Sequence, residues 1–392
     1  MIHRQRLSHK HTSRTKQLKT FRNIDPSSNK MSLRHRRPPI ILLVLLIALS
    51  GELAAAKVPA LIVFGDSTVD TGNNNYISTL IKSNFAPYGR DLRVGAGAGA
   101  GQATGRFSNG RLASDFLSEA FGLPPLLPPY LDPNANITSL ATGACFASAG
   151  AGYDNATSDI FSVLTIWQEL EYFKEYAAKL RGALGDAKAE ATLSEALYVV
   201  SMGTNDFLEN YYAAPRGAAA QAASPADYAA HLLAVAESFA RALHALGARK
   251  LDLNGLPPMG CLPLERRRAA GAGGACTEEY NAVARGYNDG LRALVARLGG
   301  GELAGAAVVY GDVYGPVAEV LADPAAYGLE DVRAGCCGAT GVFEVGYLCN
   351  EANPLTCADA GRYAFWDAIH PTERLHRLIA ERKMNTTLYV FL

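Results

Sequence analysis

The stretch "ALIVFGDSTVDTGNNN", Ala60 to Asn75, is apolar through Phe64 and breaks at Gly65 into small and polar residues around Ser67. A short unbroken apolar run bounded by glycine fits a strand buried on both faces, as in parallel sheets with helices above and below. The carboxyl end of such a strand is where open parallel sheets bind their ligands. The same residues therefore bear on fold and function together: Ser67 is either a nucleophile held at a strand end or a hydroxyl that merely closes a strand.

Later segments repeat the pattern. "EALYVVSMGTND", residues 195–206, reads as a second buried strand ending in Gly203 and Asn205; "RKLDLNGLPP" reads as a third strand and "AAVVYGDVYG" as a fourth. Between them, "GRLASDFLSEAFG", "SPADYAAHLLAVAESFARALHALG" and "TEEYNAVARGYNDGLRALVARLG" space their apolar residues as amphipathic helices. In the second of these, Ser224 is the expected N-cap, Pro225 lies in the first turn and Gly247 is the stop. Strands alternating with helices predict an α/β fold on a mostly parallel sheet. No repeat and no dividing linker is visible, so one domain is expected over 57–383, between an N-terminal extension (1–56) and an unfamiliar tail (384–392). "GAGAGAG", Gly95 to Gly101, reads as a surface insertion.

The formal charge of zero conceals an asymmetry. Of 37 Lys and Arg, 11 precede residue 57, against Asp25 and Glu52, which leaves 26 basic and 35 acidic residues, a net of −9. An acidic body argues against nucleic acid or an anionic membrane as partner. "RHRRPPIILLVLLIALSGELAAAK", residues 34–57, places basic residues before an apolar run and then small residues, the order of a secretory signal cleaved near Ala56. The run is short for a membrane span. A secreted, extracellular monomer is expected. Seven cysteines in an exported chain favour disulfides over metal sites: Cys261 and Cys276 flank one Gly-rich segment, Cys336, Cys337, Cys349 and Cys357 crowd another, and Cys145 is left over, buried and free. No CxxC pair occurs, and no metal or cofactor is expected. Asn136, Asn155 and Asn385 head glycosylation sequons.

A serine hydroxyl needs a base to remove its proton, and histidine does this best near neutral pH. His231 and His244 lie within one amphipathic helix, where a structural or solvent role is the expectation. His370 differs. Asp367 precedes it by three residues on a loop entering a helix, so the carboxylate can fold back onto one ring nitrogen and leave the other for Ser67. Donors for an oxyanion are at hand in the Ser67 amide, in Gly150 of "FASAGAG", whose missing side chain lets a backbone amide approach closely, and in the Asn205 amide, which donates without titrating.

With these blocks in order, the chain resembles the plant-type GDSL esterase/lipases of the SGNH hydrolase superfamily. The resemblance covers most of residues 58–381 and is carried by "FGDSTVDTGNNN", "PYGRD", "TGRFSNGRLASDF", "GACFASAGAGY", "VVSMGTNDFLENYY", "GLPPMGCLPLER" and "FWDAIHPTE". It implies a three-layer α/β/α sandwich, SGNH hydrolase-like and flavodoxin-like. It also implies a small-molecule or polymer-borne ester as substrate, with Ser67 as nucleophile, His370 as base, Asp367 as its orienting acid and Ser67, Gly150 and Asn205 as the oxyanion hole. The second block departs from the family pattern at Cys145, usually Asn, and at Ala149, often Gly. Acyl transfer to an alcohol shares the acyl-enzyme half of the reaction and stands as an alternative to hydrolysis. An inactive secreted binding protein is the alternative of another class, opposed by the complete set Ser67, Asp367, His370 and Asn205.

Overall fold

A computed structural model describes residues 58–93, 101–213, 224–268, 274–337, 349 and 355–392. The expected secretory signal, the rest of residues 1–56 and most of the Gly/Ala run lie outside them. Five strands, β1 (Leu61–Gly65), β2 (Gly143–Cys145), β3 (Leu197–Ser201), β4 (Lys250–Asn254) and β5 (Ala307–Gly311), form one sheet in the order β2-β1-β3-β4-β5. Every neighbouring pair is parallel. This is the doubly wound order of flavodoxin-like α/β proteins. A second, two-stranded parallel sheet joins β6 (Asp331–Gly335) to β7 (Tyr363–Phe365).

The longer helices are α1 (Ala113–Ala120), α2 (Ile166–Leu184), α3 (Asp186–Glu195), α4 (Pro225–Ala245), α5 (Glu278–Arg297), α6 (Tyr314–Ala322) and α7 (Glu373–Thr386). The Ser224 hydroxyl accepts from the Asp227 N–H at 3.2 Å, so the N-cap of α4 stands where the sequence puts it. Alternate residues of the strands face opposite layers. Ile62, Phe64, Tyr198, Val200 and Leu253 join a core with Phe173 of α2, Phe239 of α4 and Tyr287 of α5. Leu61, Val63, Leu197 and Val199 face the other way, onto Phe116 and Leu117 of α1. Phe64 lies 5.2 Å from the Phe239 ring and 5.3 Å from that of Phe146. Burying such a ring is worth about 1.5–3 kcal/mol, which anchors the last apolar residue before the chain turns toward Ser67. Residues 384–392, distinctive in sequence, complete α7 and a following 3-10 turn, and Leu388 and Phe391 are buried in the second core with Leu61 and Val63.

At the end of β1 the backbone does something only glycine permits. Gly65 has φ 144°, and a Cβ there would sit 2.0 Å from the Ser201 carbonyl oxygen of β3. After Ser67 the chain makes only a single helical turn. The Val69 and Asp70 N–H groups donate to the Asp66 carbonyl, but the Asp70 carboxylate then takes the Gly72 and Asn73 N–H groups, each at 2.8 Å. A short acidic side chain that captures backbone donors competes with the helical ladder and ends it.

The cysteine pairing left open by the sequence is resolved as Cys261–Cys276, Cys336–Cys357 and Cys337–Cys349, with Cys145 free and buried. Among the described residues no helix is long and apolar enough to cross a membrane.

Candidate active site

Loops from the carboxyl ends of β1, β2 and β3 meet the loop between β7 and α7. The first brings Ser67, the second Gly150, the third Asn205 and the fourth Asp367 and His370, and Ser67, Gly150, Asn205 and His370 line one cleft. His370 Nε2 is 2.8 Å from Ser67 Oγ, and His370 Nδ1 is 2.7 Å from Asp367 Oδ2. Asp367 is fully buried and its carboxylate is held by more than the imidazole. Oδ1 accepts from the N–H groups of His370 at 2.7 Å and Ile369 at 2.9 Å, and Oδ2 accepts from the Tyr88 hydroxyl at 2.7 Å. The backbone donors tie the carboxylate to the very turn that carries His370, so the three-residue spacing closes locally. The Phe107 ring packs against the imidazole at a tilt of 41°, with the ring centroids 4.8 Å apart.

Tyr88 is a member of the site that the sequence reading did not single out. It is 279 residues from Asp367, within "PYGRD", and no local spacing links the two. Its ring is buried against Phe85, Phe107 and Trp366.

The donors point toward chemistry at a carbonyl. Among the described residues, neither the Ser67 nor the Gly150 N–H meets an acceptor. Asn205 donates one amide hydrogen to the Ala151 carbonyl at 3.0 Å, which fixes the side chain and leaves the second hydrogen for the cleft. Gly150 has φ 90°, and a Cβ there would press on the Phe161 ring at 3.1 Å. Three preset donors beside a hydroxyl and an imidazole suit a developing oxyanion.

A buried polar frame holds these loops, built from small residues of the same sequence blocks. Asp70 Oδ2 accepts from the Ala149 N–H at 3.1 Å, next to Gly150; the Asn73 amide donates to the Cys145 and Ala147 carbonyls, and that of Asn74 to Ile81 and Ala149. Asp206, adjoining Asn205, accepts from Tyr153 N, Asp154 N and Thr157 Oγ1 at 2.6–3.0 Å. Cys145, where the family pattern has Asn, donates its Sγ–H to the Val69 carbonyl at 3.1 Å, and burial pushes this thiol up to about 12. It is a structural thiol, not a thiolate. Arg106 forms a buried bidentate pair with Asp115 at 2.8 Å on both arms and donates to the Thr71 carbonyl, so the loop after Ser67 is fastened to α1.

Burial gives this frame a pH signature. It pushes the carboxyl of Asp70 up to about 6, that of Asp206 up to about 7 and that of Glu169, whose Oε2 accepts the Gly65 N–H, well above the ordinary range. Each binds its proton more tightly folded than unfolded, so each contributes stability that is full below the ordinary carboxylate range and is lost as pH rises through the folded value. His376, buried on α7, acts in the opposite sense: burial lowers it to about 3, and its contribution is lost as pH falls from about 6.5 toward that value. Three carboxyls outweigh one imidazole, so the thermal midpoint is expected to rise by a few degrees between about pH 7.5 and about pH 5. Thermal scans across that range check it, with Asp206→Asn removing part of the slope. A midpoint that falls on acidification contradicts the assignment.

The cleft walls are Leu80, Ile81, Phe107, Phe161 and Ile369, with Lys82 and Glu209 as charged members. His231 and His244 lie on α4 and do not line it; His244 Nε2 is 2.9 Å from the Ala304 carbonyl. Asn136, Asn155 and Asn385 are all exposed, and Asn136 also caps the short helix Ile137–Leu140. Among the described residues, no three His, Cys, Asp or Glu side chains gather as a metal site.

Residues 61–382 match the family model of GDSL-like lipases and acylhydrolases. Among curated proteins, one Arabidopsis thaliana GDSL esterase/lipase is 50% identical over 351 residues, 89% of this chain and 97% of the relative. A second from the same plant is 49% identical over 358 residues, covering 91% and 99%.

Proposed function

Since the chain belongs to the GDSL-like lipase/acylhydrolase family and is a carboxylic ester hydrolase, we propose that it works through an acyl-enzyme on Ser67, with His370 as base and Asp367 as orienting acid. The observation that carries this reading is the continuous chain from Ser67 Oγ to His370 Nε2, 2.8 Å, and from His370 Nδ1 to Asp367 Oδ2, 2.7 Å. Asp367 accepts the Nδ1–H and so leaves the Nε2 lone pair facing the hydroxyl.

Ser67 Oγ attacks the ester carbonyl as His370 Nε2 takes its proton, and the carbonyl oxygen becomes an oxyanion received by the Ser67 and Gly150 N–H groups and the Asn205 amide. Collapse breaks the bond to the alcohol oxygen, which leaves with the proton from His370. Water then adds to the acyl-Ser67 carbonyl while His370 takes its proton, and return of that proton to Ser67 Oγ releases the acid. Tyr88 and the two backbone donors on Asp367 keep the carboxylate from rotating away during these transfers. In this reading the domain spans residues 57–383 with its C-terminal turn packed on, the N-terminal extension directs secretion, the protein acts as a monomer, and the exposed Asn136, Asn155 and Asn385 carry glycans. The order of residues 34–57 and the three disulfides support the secretory part.

A fluorophosphonate probe tests the nucleophile directly. It is expected to label the folded protein at Ser67 alone, read by peptide mass spectrometry, and labelling is expected to block ester turnover. A folded protein that stays unlabelled while hydrolysing esters would refute the role of Ser67.

A further inference from the structure

Leu80, Ile81, Lys82 and Phe161 line the catalytic cleft with Ser67, and the same four residues line a second groove, on the surface, which adds Ile160. The two depressions share this wall. Leu80 is 79% exposed, more than any other large apolar residue among those described, and Ile160 is 45% exposed. A chain laid from one depression to the other therefore crosses at the surface and needs no buried passage. Singly exposed apolar residues are ordinary, but two that border one groove beside a reactive serine mark a surface for an apolar ligand.

Leu80 is held in this exposed position. The Thr79 hydroxyl donates to the Phe161 carbonyl at 2.8 Å and accepts the Ile81 N–H at 3.1 Å, so the residues on both sides of Leu80 are tied down, one of them across 82 residues of chain. The Asn74 amide donates to the Ile81 and Ala149 carbonyls, each at 2.9 Å, and joins the wall to the loop that carries Gly150. The Phe161 ring borders Gly150 itself, where a Cβ would meet it at 3.1 Å. The Lys82 amine is engaged by the Asn75 carbonyl at 3.3 Å, and a lysine so held covers apolar surface with its methylene stem.

We propose that this wall seats the acyl chain of the ester, which runs from the carbonyl on Ser67 past Phe161 and Leu80 and out along Ile160. The inference rests on Ser67 being the nucleophile and His370 the base. The departing alcohol takes its proton from His370 Nε2, so the alcohol half lies on the imidazole side of the cleft, with Phe107 and Ile369. Phe161 stands on the side of the Gly150 donor, which is left for the acyl half. Because the groove lies at the surface, the far end of a long chain continues into solvent, and no closed pocket sets an upper limit on its length.

Nitrophenyl acetate, butanoate and octanoate share one leaving group, and their hydrolysis by wild type, Leu80→Ser and Ile160→Ser tests this at concentrations where the octanoate is monomeric. Wild-type kcat/KM is expected to rise with chain length. In Leu80→Ser the butanoate-to-acetate and octanoate-to-acetate ratios of kcat/KM should both fall, the second by about fivefold or more. In Ile160→Ser only the octanoate-to-acetate ratio should fall, by about twofold to threefold. Both residues are exposed, and thermal midpoints verify that the variants fold. The hexyl-to-ethyl acetate ratio, which varies the alcohol instead, is expected to stay as in wild type. Unchanged acyl ratios in the folded variants, or a wild type that hydrolyses the acetate and rejects the octanoate, overturn the acyl seat and leave the hydrolase in place. A shift in the alcohol series instead puts the leaving group on this wall and overturns the assignment of halves. A shift seen only once the ester aggregates assigns Leu80 to contact with a lipid surface, and overturns a seat for a single chain. A wild type that hydrolyses none of these esters removes the hydrolase reading itself, and the proposal with it.

Discussion

Ser67→Ala is expected to lower kcat on a short-chain chromogenic ester by about 10⁴-fold to 10⁶-fold, the range seen when a nucleophile that acts as a unit with its base is removed. The hydroxyl is the only group at this position able to form the acyl-enzyme. Without it His370 Nε2 has no proton to take, and the donors at Ser67, Gly150 and Asn205 still face a carbonyl that nothing attacks covalently. The substitution leaves the frame untouched, because Asp66 and Thr68 hold the turn through the Asp66 carboxylate, which accepts Thr68 N at 2.9 Å and Thr68 Oγ1 at 2.7 Å. The thermal midpoint should therefore stay within about two degrees of wild type, as for other substitutions that open no large cavity. Turnover within about tenfold of wild type in a folded Ser67→Ala protein would show that the hydrolysis runs elsewhere.

Asp367→Asn is expected to lower kcat by about 10⁴-fold while preserving the shape of the site. The reason lies in which atoms donate. Oδ1 accepts from Ile369 N and His370 N, so in the variant the amide oxygen is retained there and the amide NH₂ takes the Oδ2 position, facing His370 Nδ1. Nδ1 then becomes an acceptor, the ring proton moves to Nε2, and Nε2 points a hydrogen at Ser67 Oγ where the reaction requires a lone pair. Tyr88→Phe removes only the hydroxyl donated to Oδ2 at 2.7 Å, so its loss should be far smaller than that of Asp367→Asn. Steady-state kinetics of the two variants side by side check the order; equal losses would mean that Asp367 serves only as a brace.

The parts of the fold legible in sequence are those whose signal is local. The runs that became β1 and β3 are apolar across several successive residues because helices cover the sheet on both faces, whereas β4 alternates Leu251 and Leu253 with Asp252 and Asn254. Ser224, Pro225 and the periodicity behind them mark α4 through chemistry contained in one turn. The strand β2 is only Gly143–Cys145, too short for any period to register, and it is defined by its pairing with β1. The chain after Ser67 makes only a single helical turn because the Asp70 carboxylate meets Gly72 and Asn73, a competition between side chain and ladder that composition does not reveal.

The site divides in the same way. Asp367 and His370 were readable as a pair, since three residues on a tight turn set their approach whatever the rest of the chain does. Ser67 and Asn205 were readable as candidates from their positions at strand ends, and Gly150 from its bare backbone within a small-residue run. Tyr88 on Asp367, the frame of Asp70, Asn73, Asn74 and Asp206, and the choice among cysteine pairings were not.

By itself, the sequence determined an α/β chain with a parallel sheet, a serine at the end of its first strand and an aspartate–histidine pair able to serve it, because hydrophobic period, turn chemistry and short spacings act within a few residues. Only the tertiary structure decided that His370 Nε2 stands 2.8 Å from Ser67 Oγ across 303 residues, and that Tyr88 closes the far side of Asp367. It likewise decided that the buried Ser114 Oγ and His376 Nε2 meet no partner among the described residues. Those outcomes depend on which strands become neighbours and which loops share a sheet end, and such neighbours are chosen by the packing of the whole core.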